Sequence, residues 1–347
     1  MSTPPFSSTE NFRNAFESGL KSLLHEYDEL GVYILVLANA TFDRLIWDQL
    51  AMPLERKFAQ LVVDYKKRNL SPLMLDPDDS KDDLEVFRQL LAIRFDQLST
   101  TELRHCGHWE LQFNQLRSFR PPRMSGKKIE GISAPFDQDG FHFNKPFLRK
   151  EIFWRGWLSG RNSVLLYNKF PFVELHGILV PEPKERRSQL LQRDDNEYLW
   201  RVTETLAKTL PGMGFGYNSY GAFASVNHLH FQMFIRENPL PISRQEWKHN
   251  GGVEPYPAAC HCFDNADSTW RYISKLHESQ IPYNLIYLPG KVYCLPRLSQ
   301  GEYPNPDWTR GFAWYEMAGG FTTFSRDNYR NLNGGTLQQE LAAVSVK

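Results

Sequence analysis

The chain has 347 residues, 41% of them apolar and 23% charged, with 40 basic against 40 acidic side chains. That is a globular composition, long enough for one large domain or two ordinary ones with a sizeable core. A formal charge of zero argues against a partner gripped through nucleic-acid phosphates, which calls for a cationic excess.

The opening MSTPPFSSTENF lacks the cationic and apolar regions of a signal peptide. Residues Ser7–Leu30 place Phe12, Phe16, Leu20, Leu23 and Leu24 at helical spacing behind a Ser/Thr-rich start that can cap a helix. GVYILVLANA reads as a buried strand. At Val32–Ala40 it is the longest apolar run, and it falls short of the ~20 residues needed to cross a bilayer. A cytoplasmic protein without membrane contact is therefore expected. PLERKFAQLVVDYKKRN reads as an amphipathic helix, and DPDDSKDDLEVF as an acidic, solvated break leading into a helix over Leu84–Leu98.

From Trp109 onward short apolar runs alternate with Pro/Gly turns: HWELQFNQLRSF, FWRGWL, NSVLLYN and HGILVPEP. One helix, Glu197–Leu210, follows, and then a second group of strands, YNLIYLPGKVYCLPR and AWYEMAGGFTTFS. The pattern predicts an α+β domain with a mostly antiparallel sheet and an N-terminal helical elaboration. SVLLYNKFPFVELHGILVP and NLIYLPGKVYCLP both read as strand, turn, strand, which hints at an internal duplication.

The segment FGYNSYGAFASVNHLHFQMF carries the chemistry. In a strand His228, His230 and Gln232 share one face while Leu229, Phe231 and Met233 share the other, with the strand beginning near Asn227. Three readings of that face are open: an exposed polar edge, a metal site for which Gln232 is a poor third ligand, and covalent catalysis by a neutral imidazole. Upstream lie Gly212, Gly214, Gly216 and Gly221 with Asn218 and Ser219, a sequence suited to a phosphate cradle. Cys260 and Cys262, in AACHCFDN, are closer together than the C-x2-C of zinc knuckles, and Cys106 with His108 is the pair that could complete such a site. The four cysteines, Cys294 included, are too few and scattered for a disulfide scaffold.

His-x-His-x-Gln behind an Asn/Gly-rich loop resembles the nucleotidyltransferase branch of the histidine-triad (HIT) superfamily, the branch of the galactose-1-phosphate uridylyltransferases. Within it the chain looks most like the GDP-hexose phosphorylases, the GDP-L-galactose and GDP-D-glucose enzymes. LQFNQLRSFRPP (Leu111–Pro122), APFDQDGFHFNK (Ala134–Lys145) and NKFPFVELHGILVP (Asn168–Pro181) match family segments in order. The resemblance covers Trp109–Ser325, and residues 1–108 match none of its segments. One departure stands out: the family hairpin has Gly before its His, whereas here Leu175 precedes His176 and the glycine follows as Gly177.

The resemblance implies a HIT-like fold, duplicated as in the uridylyltransferases, over residues 109–330, with residues 1–108 an α-rich elaboration packed on the core and 331–347 a tail. It implies nucleotidyl transfer from a nucleoside-diphosphate sugar, GDP-hexose first, to inorganic phosphate through a nucleotidyl-His230. Alternatives are a dinucleoside-polyphosphate phosphorylase and a nucleotide-binding regulator that turns over weakly. His228 and Gln232 are the other catalytic candidates. Asn218, Ser219, Gly221, Lys145, Asn144, Arg117, Asn168 and His176 are the substrate-binding candidates, and Lys169 is a further cation that could offset the diphosphate, weighed against a plain surface side chain. No metal or cofactor is called for, and the implied assembly is a homodimer without nucleic acid.

Overall fold

A computed structural model describes residues 5–67 and 81–346. Four helices come first: α1 (Thr9–Glu26), α2 (Leu30–Phe42), α3 (Arg44–Lys67) and α4 (Lys81–Ile93). The Ser8 side chain caps α1 by accepting from the Asn11 amide, and the five apolar residues read from its periodicity are its buried face.

Segment α2 corrects the expected strand. An uninterrupted apolar run has no period that separates a buried strand from a buried helix. Here Leu30–Thr41 are all buried, so the helix is enclosed on every side. In α3 the helix starts nine residues before Pro53, the expected first position, because Ile46 and Leu50 have a core to enter. Of the acidic break, residues 76–80 lie outside the described residues; the rest is the start of α4.

The remainder is mixed. A three-stranded sheet has the order β1 (Glu102–Cys106), β2 (Trp109–Phe113), β11 (Gly320–Thr323). A larger sheet contains β3 (Ile152–Leu158), β4 (Arg161–Tyr167), β5 (Gly177–Pro181), β6 (Met213–Asn218), β7 (Phe231–Ile235), β8 (His261–Phe263), β9 (Tyr283–Leu288) and β10 (Lys291–Pro296). Its order is β3-β4-β5-β7-β6-β9-β10-β8, with antiparallel neighbours throughout. Both expected strand–turn–strand units appear in this one sheet, as β4–β5 and β9–β10.

Helix α5 (Arg193–Leu206) lies between β5 and β6, and α6 (Ala266–Glu278) between β8 and β9. AWYEMAGGFTTFS, expected as strand, splits into a one-turn helix, α7 (Trp314–Met317), and β11. Helices α8 (Arg326–Asn331) and α9 (Gly334–Ala343) close the chain; Leu337 and Leu341 are buried, so the expected tail is part of the fold.

The large sheet has two different faces. Phe231, Met233 and Ile235 of β7 join the core formed with α1–α6. On the opposite face Phe234, Ile286 and Leu295 pack against Trp314, Phe312 and the three-stranded sheet. Beyond that patch, over β4 and β5, the same face presents Leu166 and Ile178 to an open cavity.

Candidate active site

Strand β7 begins at Phe231, so His228 and His230 precede it instead of lying within it. The alternation still holds, because Leu229 packs into the helix-side core while His230 and Gln232 line the cavity. Gln189 fixes this approach. Its Oε1 accepts from the His230 amide at 3.0 Å, and its Nε2 donates to the carbonyls of Asn218 and His230.

The tautomers follow from the partners. His230 Nδ1 is 2.7 Å from the His228 carbonyl oxygen, which only accepts; Nδ1 therefore carries the proton and Nε2 the lone pair. Burial pushes the His230 pKa down to about 4, against a favourable bond to the His228 carbonyl, so the ring is neutral near pH 7. His228 has no such freedom. Its Nδ1 accepts from the Phe143 amide at 3.2 Å and its other nitrogen donates to the Pro183 carbonyl. Burial, then His230, depresses its pKa to about 3. His228 is a neutral brace that holds the 143 and 183 loops and presents its own carbonyl to His230.

Gln232 is oriented as firmly. Its Oε1 accepts from Trp314 Nε1 at 2.9 Å and from His176 Nε2 at 3.2 Å. With the oxygen held by two donors, the NH2 group is left for the cavity. His176 is fully buried and its pKa lies well below 6.5, through burial and then Arg117. Leu175 adopts φ +47°, the left-handed conformation that glycine fills at low cost, and so the hairpin turns as if the family's glycine were there. Asn168 braces the same turn: its Oδ1 accepts from the Phe170 amide and its Nδ2 donates to His176 Nδ1 at 3.4 Å, the nitrogen that also accepts from the Phe172 amide.

Asn218, at the end of β6, lines the cavity; its Oδ1 accepts from Asn284 Nδ2 at 2.7 Å and the Trp314 amide at 2.8 Å, leaving its Nδ2 available. Arg117 also lines the cavity, donating to the Phe170 carbonyl at 2.9 Å with its guanidinium 4.0 Å from the Phe172 ring centre. Burial brings its pKa down to about 10, which leaves it charged.

Other candidates lie elsewhere. The Lys145 ammonium donates to the Gln138 and Asp139 carbonyls. Asn144 donates to Pro183 O at 2.6 Å. Ser219 Oγ accepts from the Tyr283 amide, and Gly221 lies outside the cavity lining. The upstream glycines form no cradle. A Cβ on Gly216 would sit 2.2 Å from the Trp314 ring and one on Gly214 2.5 Å from Phe234, so these strand glycines make room for aromatic rings. Lys169 is mostly covered, with 16% of its side chain exposed, and is not a surface side chain. Burial alone would lower its pKa, but Asp83 at 3.0 Å and Glu151 at 2.8 Å raise it instead.

Sequence reasoning missed most of the cavity's charge. Arg120, Arg123 and Arg310 join Arg117 and Lys169 in the lining, opposed by Asp83, Glu151 and Glu316. Burial, then repulsion from Arg117 and Arg123, lowers the Arg120 pKa to about 9. The three-residue spacing Arg117, Arg120, Arg123 was the available signal. Cys260, Cys262, Cys106 and Cys294 are free thiols. Among the described residues no group of three or more His, Cys, Asp or Glu side chains is placed to hold a metal ion, and no helix is long and apolar enough to cross a membrane.

The site thus aims a neutral imidazole lone pair and an amide NH2 into a cation-rich cavity, a nucleophile and a donor suited to chemistry on an anionic substrate. Residues 88–234 match the family model described as GDPGP1-like, N-terminal domain, so the likeness to GDP-hexose phosphorylases carried by the motifs holds. GDP-D-glucose phosphorylase 1 of Danio rerio is 31% identical over 44% of this chain and 43% of its own length. GDP-L-galactose phosphorylase 2 of Arabidopsis thaliana is 27% identical over 68% of this chain and 64% of its own. The chain thus spans less than half of the animal relative and about two thirds of the plant one. The solved yeast Ap4A phosphorylase Apa2 in complex with Ap4A aligns over 77% of this chain and 97% of its own, at 15% identity and a TM-score of 0.47.

Proposed function

We propose that the chain is a nucleotidyltransferase that phosphorolyses a GDP-hexose to hexose 1-phosphate and GDP. The observation that carries this reading is the bond from His230 Nδ1–H to the His228 carbonyl, which leaves the Nε2 lone pair for the cavity beside the Gln232 NH2 group.

In this reading Nε2 attacks the α-phosphorus, and the bond to the bridging oxygen breaks to release hexose 1-phosphate. No base is needed, because the ring is already neutral. The ring becomes cationic as the N–P bond forms, and the Nδ1–H bond to the His228 carbonyl strengthens with that charge. The Gln232 NH2 and the arginines stabilise the growing charge on the phosphoryl oxygens. Inorganic phosphate then attacks the same phosphorus, the N–P bond breaks, and GDP leaves with the ring neutral again. The animal and plant relatives' names supply the substrate class.

The test is a panel of GDP-, UDP- and ADP-sugars and dinucleoside polyphosphates, each with phosphate. A GDP-hexose should give hexose 1-phosphate and GDP, and omitting phosphate should trap labelled nucleotide on His230. Transfer at near wild-type rate in His230→Ala would sink the covalent route.

A further inference from the structure

The ladders that hold β7 stop short of the nucleophile. Pairing with β5 ends at Phe231 and pairing with β6 at Gln232, so residues 228–230 lie beyond both. Segment 187–189 holds them instead. The Leu229 amide donates to the Arg187 carbonyl at 2.9 Å, and this is the peptide unit whose other end, the His228 carbonyl, orients the His230 ring. The next unit donates its His230 amide to Gln189 Oε1 at 3.0 Å. The one after it accepts, at the His230 carbonyl, from Gln189 Nε2 at 3.3 Å. Three successive peptide units are thus gripped by one short segment. A carboxamide carries a carbonyl acceptor and N–H donors, as a peptide unit does. Gln189 therefore exchanges both bonds with His230, as a hydrogen-bonded pair does in an antiparallel ladder.

Gln189 is itself fixed. It is buried, its own amide donates to Asn227 Oδ1 at 2.9 Å, and its carbonyl accepts from the Tyr217 hydroxyl at 3.2 Å. Its Nε2 also donates to the Asn218 carbonyl at 2.9 Å, so one side chain ties His230 to the cavity-lining Asn218. Two residues back, the Arg187 guanidinium meets Asp195 at 2.7 Å, a fully buried carboxylate in the first turn of α5. The grip on His230 is anchored on that helix.

We propose that Gln189 is a positioning residue for the nucleophile: it registers the His230 backbone so that Nδ1–H meets the His228 carbonyl and Nε2 faces the cavity beside Asn218. Its effect on rate rests on the nucleotidyl-transfer reading, and its effect on the tautomer does not.

The experiment compares the full chain with Gln189→Met, which keeps the length of the side chain and removes the carboxamide. The His230 tautomer is read by 15N NMR on histidine-labelled protein, its signals assigned by their loss in His230→Ala. Initial rates with a GDP-hexose and phosphate give kcat and KM. Wild type should show a proton on Nδ1 and none on Nε2, and Gln189→Met should shift the ring toward the Nε2–H form. Its kcat should fall about a hundredfold, the size expected of a misplacement near 1 Å, with KM within about threefold of wild type. A folded Gln189→Met with the wild-type tautomer overturns the proposal. So does a rate loss no larger than the unfolded fraction accounts for, which would mark Gln189 as scaffold. If the variant does not fold, solvent exchange of the Gln189 side-chain NH2 in wild type decides. Protons strongly protected beside an Nδ1–H His230 uphold the grip, and protons that exchange like those of an exposed carboxamide overturn it. A chain that transfers no nucleotide, yet changes tautomer in Gln189→Met, would refute the proposed reaction and leave this inference standing.

Discussion

His230 is useful only while its Nε2 lone pair is free, and its folded pKa of about 4 is set chiefly by burial. The rate of nucleotide transfer to the enzyme should therefore stay flat from pH 8 down to about pH 5, with no limb near the 6.5 of an ordinary imidazole. Single-turnover rates across that range check it, and a limb centred at 6.5 would refute it. The same shift has a stability consequence. The folded pKa values of His230 and His228, about 4 and about 3, lie below the unfolded value. Their contribution is complete above pH 6.5 and falls away as pH drops toward 3, so the melting temperature should decline through that window. For Gln232, removal of an oxyanion-type donor costs roughly 3–4 kcal/mol. Gln232→Ala should then lose about two to three powers of ten in rate. Gln232→His puts a titratable base where water could use it, and the ratio of GMP to GDP released from one GDP-sugar at fixed phosphate should rise. An unchanged ratio would shift the source of selectivity to the arginine-lined wall.

Strand β6 and the turn before β5 show how whole elements aim that amide. Gly216 leaves space for the Trp314 ring, and Trp314 in turn holds the Gln232 oxygen. Gly216→Ala would place its new carbon 2.2 Å from that ring, within the strand that pairs with Gln232. Overpacking of this kind costs about 1–3 kcal/mol. The expected result is a lower denaturation midpoint together with a lower kcat, whereas Ala at an exposed strand position should change neither. If Gly216→Ala matched wild type in both, the link from β6 through Trp314 to Gln232 would be broken. On the other side, Asn39 of α2 donates from Nδ2 to the Asn168 carbonyl at 3.0 Å and to the Leu35 carbonyl at 2.9 Å. A mostly apolar helix thus ties the hairpin that carries His176 to the N-terminal layer.

At the scale of the molecule, α1–α3 are not an appendage to a self-sufficient sheet. Phe12, Phe16, Leu35 and Leu37 share one core with Leu179, Phe231 and Cys294. Deleting residues 1–67 would bare the helix-side face of the large sheet at β4, where Tyr167 donates to the Phe16 carbonyl at 3.0 Å. The shortened chain should lose its near-ultraviolet circular dichroism and aggregate. A cooperative melt from that shortened chain, with wild-type activity, would show instead that the helices are dispensable. The same layer reaches the site, since α4 brings Asp83 to Lys169.

The one-dimensional pattern determined the period-two face of His230 and Gln232, the helical face of α1, and the β4–β5 and β9–β10 hairpins, because each follows from local periodicity or a turn signal. His176 is singled out by the resemblance of its hairpin to the family segment, not by periodicity. The pattern could not show that α2 is a helix, since a run apolar at every position has no period until its neighbours enclose it. Nor could it show that Gly214 and Gly216 accommodate rings, that Trp314 and His176 jointly fix the Gln232 oxygen, or that Lys169 is held between Asp83 and Glu151. Those partners lie 82, 56 and 86 residues apart along the chain in the Trp314–Gln232, His176–Gln232 and Lys169–Asp83 pairs. Hydrogen-bond direction and burial at such separations are set by the packing of distant segments, and only the tertiary structure decided them.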